Sequence, residues 1–122
     1  MTDRIRIQRI YDDDLAGGGT RVLVDRVWPR GISKDDADLD HWFKDLAPSS
    51  ELRKWFGHDP RLWAAFKQKY RKELRNEEKR EQLEELAEIA SDGKLVLLYG
   101  AKDEEHNQAV VLREVLGEML QS

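Results

Sequence analysis

Two short runs, RVLVDRV at 21–27 and KLVLLYG at 94–100, are apolar at consecutive positions where a half-exposed strand would alternate. Apolar side chains on both faces of a strand need a covering layer on each face, which is the condition of a central strand in a parallel sheet. Helical patterns lie between the two runs, and parallel neighbours are joined only by a crossover of the kind a helix supplies. The class that follows is α/β, with a small mostly parallel sheet flanked by helices in a single compact domain over 1–122. A chain of 122 residues that is 39% hydrophobic can bury such a core without disulfides or metal.

The other elements are read from periodicity and punctuation. RIRIQRI at 4–10 alternates, predicting a half-buried strand near a sheet edge with Arg4, Arg6 and Arg9 outward. Tyr11 to Thr20, with Gly17 to Gly19 in a row, reads as a surface loop; no helix start follows, so the glycines are a connector and not a phosphate loop. The second strand ends near Trp28, because Pro29 cannot donate to a ladder and Gly31 permits positive φ. Ser33-Lys34-Asp35-Asp36 has capping-box spacing, and Leu39, Trp42, Phe43 and Leu46 follow at helical intervals, predicting a helix that Pro48 stops. Ser49 or Ser50 opens a short helix ended by Gly57, and Asp59-Pro60 opens another with Trp63, Phe66, Tyr70 and Leu74 on one stripe. Asn76-Glu77 is a break before a helix that Ser91-Asp92-Gly93 stops, and a last helix is expected from Glu104 to Leu120. Three strands are few for this class; a fourth is expected within 11–20 or from a second subunit, so a dimer is one option.

Composition narrows the function classes. A formal charge of −4 argues against a surface made throughout for nucleic acid, while leaving room for a local basic pocket. The absence of cysteine excludes disulfides, thiolate nucleophiles and Cys-ligated metals. His41, His58 and His106 are far apart with no carboxylate or histidine at ligand spacing, so neither a metal nor another cofactor is expected. No signal-peptide core and no membrane-length apolar run is present, which makes the expected location cytoplasmic.

The chemistry is expected where the two central strands end. In an open parallel sheet, ligands lie beyond the carboxyl ends of the strands, where loops diverge and helix N-termini point inward. One strand runs into Asp25-Arg26-Val27-Trp28-Pro29-Arg30, the other into Tyr99-Gly100-Ala101-Lys102 and on to His106. Asp25 would orient a group or accept a proton, or else ion-pair with Arg26 or Arg30 or cap backbone groups as a structural carboxylate; a buried carboxylate costs several kcal/mol unless partnered. Arg26 and Arg30 have the planar forks that suit phosphate or carboxylate, and Lys102 would add a point charge. His106 is the candidate acid–base, placed in the first turn of the last helix where its charged form is disfavoured; the acidic residues Asp103 to Glu105 would complement the dipole of that turn. Tyr99 is expected as a pocket wall. Trp28 is either a stacking platform or, as the preferred reading, a packing plug. Arg53 and His58, in the turn-bearing RKWFGHDP segment, contribute if that turn folds over the rim.

The stretches VDRVWPRG, LAPSSELRKWFGHDP, YRKEL and LLYGAKDEEHNQAVVLREVL resemble the YeaO-like branch of the domain-of-unknown-function-488 family. The resemblance covers nearly the whole chain. It implies a compact α/β domain from a bacterial or archaeal cytosol and supplies no activity. A more distant branch carries Cys-His-Arg shortly after its last strand, where this chain reads Asn107-Gln108-Ala109, so thiol chemistry does not transfer. Asp25, Arg26 and Pro29 match a strand-end motif that the family shares more widely.

Three readings follow in order. The first is a binding site for a small phosphate- or nucleotide-like anion, enzymatic if His106 and Asp25 move protons. The second is a nucleic-acid module that joins the rim to Arg53, Lys54 and Trp55. The third is a non-catalytic interaction protein whose charged rim is a structural network.

Overall fold

The computed structural model describes residues 4–12 and 18–121. Its elements in chain order are β1 (Ile5–Arg9), β2 (Thr20–Leu23), α1 (Lys34–Ala37), β3 (His41–Trp42), α2 (Ser50–Phe56), α3 (Trp63–Glu73), α4 (Glu77–Asp92), β4 (Leu95–Tyr99) and α5 (Gln108–Gln121). Single 3-10 turns at Lys44–Leu46 and Pro60–Leu62 precede α2 and α3 respectively. The sheet order is β1-β4-β2-β3, and every pairing is parallel. The result is one small α/β domain in which β4 and β2 are the inner strands.

The double-sided burial of the apolar runs has a direct structural counterpart. Val22, Val24, Leu95, Leu97 and Tyr99 point to a main core shared with α2 through α5. Leu23, Val96 and Leu98 point the other way, to a smaller cluster with Ile10 and Ala37 that Trp28, Ile32 and Leu39 border. Each fully buried leucine side chain contributes about 1.5–3 kcal/mol of apolar transfer. One face of the sheet is thus covered by a thick helical layer and the other by the chain between β2 and β3. α5 lies across β1 and β4, and α4 packs on α5 and β4.

Three element boundaries differ from expectation. The helix expected to run toward Pro48 stops after Ala37, where Asp38 takes a left-handed conformation (φ 47°). Ser33 does cap it, its Oγ accepting from the Asp36 N–H at 3.0 Å. What ends it is the open edge of β2: Asp40 N–H donates to the Arg21 carbonyl at 2.9 Å, and Phe43 N–H to that of Leu23 at 3.0 Å. The fourth strand is therefore His41–Trp42, cut from the residues expected to be helical. The expectation of a strand within 11–20 lies partly outside the described residues; β2 itself begins at Thr20.

The second difference is that β2 ends at Leu23, so Asp25 lies beyond the strand and not within it. The third is that α5 begins at Gln108, because the Asn107 side chain caps it by accepting from the Ala109 N–H at 2.9 Å. His106 and the acidic residues before it accordingly precede the helix. The α2 cap Ser49, its terminator Gly57 (φ 55°) and the α4 cap Asn76 stand where their residue types place them.

Candidate functional site

Because β1, β4 and β2 are parallel, the chain leaves all three at the same end of the sheet. A crevice of about 320 Å³ opens there. It brings together Asp25, Arg26, Arg53, His58 and His106 of the residues singled out from the sequence. Trp28, Arg30, Tyr99 and Lys102 are not among its lining.

Each member is held by a traceable local cause. The half-buried Asp25 carboxylate accepts from the Gly100 N–H at 2.9 Å and from the Gln108 side-chain amide. It thereby ties the end of β2 to the end of β4 and the start of α5. A Cβ at position 100 would lie 2.9 Å from Asp25 Oδ2, so any other residue there has to displace the carboxylate. Burial raises the Asp25 pKa above the usual carboxylate value, while the Gly100 N–H, the Gln108 amide and, last, the charge of Arg53 pull it back. Asp25 also positions a neighbour through its backbone, its carbonyl accepting from the Trp42 indole at 2.7 Å.

Arg26 does not pair with Asp25. Its guanidinium donates to the carbonyls of Ala47 (3.0 Å) and Pro48 (3.2 Å), closing the orphan end of the turn before α2. His106 Nδ1 lies 2.9 Å from Asp103 Oδ2, and its ring meets the Trp63 ring edge-on at 5.2 Å. Asp103 also accepts from the Glu105 and His106 N–H groups, and these bonds, with His106, lower its pKa. Its role is that of a turn brace; the expected dipole complementation does not arise, since the helix begins later. His58 follows Gly57 with φ 57° and lies near Phe56, their centroids 6.4 Å apart.

The four remaining candidates have other settings. Trp28 donates from its indole to the Ile32 carbonyl at 2.7 Å and stacks edge-on against Trp42 at 5.3 Å, plugging the smaller core. Tyr99 is buried in the main core. Arg30 and Lys102 are exposed. Sequence reasoning passed over Tyr11 and Gln108, both of which line the crevice. The first closes it from the β1 side, its hydroxyl donating to the Arg30 carbonyl at 2.9 Å. The signal for Tyr11 was the direction of β1, whose carboxyl end shares the rim; for Gln108 it was Asn107 as a helix cap, which brings the next residue to the crevice.

Fold and rim together define a small parallel-sheet α/β domain whose strand ends are cross-braced by hydrogen bonds. The chain belongs to the DUF488-N3i family, described as the inactive DUF488-N3 subclade, the match running over residues 4–122. It is 44% identical over 112 residues to the uncharacterized protein YeaO of Escherichia coli (strain K12), covering 92% of this chain and 96% of that one. It is 49% identical over 71 residues to the uncharacterized proteins Rv3073c of Mycobacterium tuberculosis and Mb3100c of Mycobacterium bovis, covering 58% of this chain and 60% of each of those. No solved structure matches the chain.

Membership in an inactive subclade overturns the leading expectation from the sequence, an anion-binding and possibly enzymatic site. The residues give the physical side of that correction. Of the three cations expected to neutralise an anion, Arg26 is engaged by backbone carbonyls, and neither Arg30 nor Lys102 lines the crevice. A carboxylate, Asp25, lines it beside Arg26 and Arg53. Among the described residues no group of His, Cys, Asp and Glu is placed to hold a metal ion. Among them, too, no helix is long and apolar enough to cross a membrane.

Proposed function

We propose that this protein is a non-catalytic interaction module, its strand-end crevice a brace for the surrounding loops. One observation carries the reading: Asp25 and Arg26, the acid and the fork that follow β2, are both engaged by backbone groups that hold a strand end and a turn, the Gly100 N–H and the Ala47 and Pro48 carbonyls.

The nucleic-acid alternative is less well supported. It requires Arg53, Lys54 and Trp55 to join the rim in one surface, but Arg53 lines the crevice while Trp55 lines a groove on the far side of α2. A helix body separates the two.

Two measurements test the proposal. A thermal-shift panel of inorganic phosphate, nucleotides and sugar phosphates should leave the melting temperature unchanged. In-cell crosslinking followed by reconstitution from purified components should yield a stoichiometric protein complex that His106→Gln forms as well as the parent. A saturable shift with any panel member, or turnover abolished by His106→Gln, refutes the reading.

A further inference from the structure

On the opposite side of α2 from the crevice, α2, α3 and the start of α4 border a broad groove of about 1080 Å³. Small-molecule pockets usually hold about 300–1000 Å³ and are enclosed; this one is open and larger. Four cations line it, Lys69, Lys72, Arg75 and Lys79, against two carboxylates, Glu51 and Glu73. Glu73 is already engaged, accepting from the Ser49 N–H at 2.9 Å and the Ser49 hydroxyl at 2.6 Å. Lys79 donates to the Asp45 carbonyl, a neutral acceptor. Lys72 and Arg75 are exposed. A positive groove on a chain whose net charge is −4 has a sign opposite to the whole.

An aromatic lies beside these charges. Trp55 is 43% exposed, although its neighbour Phe56 already fills the core position on α2. Lys69 Nζ stands 5.0 Å from the Trp55 ring centroid, and Leu52 lines the groove beside it. Packing therefore leaves Trp55 with a large apolar surface in water, next to cations. Binding hot spots are enriched in Trp and Arg, and Trp55 and Arg75 both line this groove.

We infer that this groove docks an acidic segment of a partner polypeptide, its carboxylates meeting Lys72, Arg75 and Lys79 and an apolar or aromatic side chain covering Trp55. This deepens the interaction-module reading and rests on it. Charge selects the occupant: the groove's cations call for carboxylates. Glu77 and Glu78 follow the lining residue Asn76 in the first turn of α4, so a polyanion longer than the groove meets like charge there.

The test uses a fluorescein-labelled peptide of glutamates around a central Phe-Leu pair, titrated by anisotropy into the full chain. Saturable binding is expected that weakens with salt, as exposed ion pairs do. Lys72→Glu combined with Arg75→Glu should lower affinity at least tenfold, and Trp55→Ala should lower it severalfold with unchanged circular dichroism. His106→Gln should bind as the parent does. Binding absent at low salt, or indifferent to both groove variants, overturns the inference. Tighter, groove-dependent binding of a single-stranded oligonucleotide also overturns it, as does self-association in sedimentation that the charge-reversal pair abolishes. A silent peptide with a silent metabolite panel removes only the groove; a metabolite that binds the crevice removes only the non-catalytic reading.

Discussion

Asp25 shows how one residue type acquires opposite meanings from its surroundings. In the sequence it interrupts an apolar run and invites a catalytic reading. In the fold it joins three chain segments through Gly100 and Gln108. Its raised pKa makes the arrangement testable, because burial disfavours the ionised form more than its hydrogen bonds favour it. A carboxyl group that holds its proton more tightly when folded stabilises the fold below the unfolded pKa, near 4, and that contribution is lost as pH rises through the folded pKa. Asp25→Asn removes this loss. Its urea midpoint relative to the parent should improve as pH rises from about 4 and level off above the folded pKa. A difference that stays flat from acid to neutral would show that burial does not penalise the charge. At this scale the sequence made Asp25 conspicuous, but its partners lie 75 and 83 residues away, beyond what spacing reveals. Arg26 was legible as a planar fork and not as the donor that closes a turn, since backbone carbonyls leave no mark in a sequence.

Among the elements, local signals were reliable wherever local chemistry decides. Ser49, Gly57, Asn76 and the apolar stripes of α3 and α4 each did what their residue types dictate. The failures came where a distant element outbid a local pattern. The Leu39–Leu46 spacing suits a helix, yet β2 presents an open edge that takes residues 40–43 as a partner. No periodicity count contains that competition. The tie between α2 and α3 is equally non-local: Glu73 receives both the N–H and the hydroxyl of Ser49. Losing the acceptor leaves a capped helix end with two unmet donors, so Glu73→Ala should cost about 1–3 kcal/mol in chemical denaturation, with Glu73→Gln intermediate. A loss of less than about 0.5 kcal/mol for Glu73→Ala would mean that water replaces the carboxylate without penalty.

For the whole molecule, the two apolar runs were enough to place the class, the adjacency of β2 and β4, and the end of the sheet at which their loops meet. They could not say what those loops do. The same architecture serves an open site or a braced one, and the difference lies in a handful of side-chain directions. The energetic centre is the inner pair of strands. Leu97 is fully buried between β1 and β2, and Leu97→Ala should destabilise by about 2–5 kcal/mol within a single cooperative transition. Val27, 62% exposed, should tolerate alanine within about 0.5 kcal/mol. If the two substitutions were equal in effect, the sheet would not be the core of stability.

The order β1-β4-β2-β3 has a consequence for how the chain is made. β1 leans on β4, from Ile5 against Leu95 to Arg9 against Tyr99, and β2 leans on the same strand. During synthesis both early strands therefore emerge from the ribosome without their shared neighbour, which is translated about ninety residues after the first. Until then only β2 and β3 can pair, and the nascent chain waits with its most apolar seam unzipped. Contacts of such long range also slow folding, so the interval in which a chaperone is useful is written into the strand order itself.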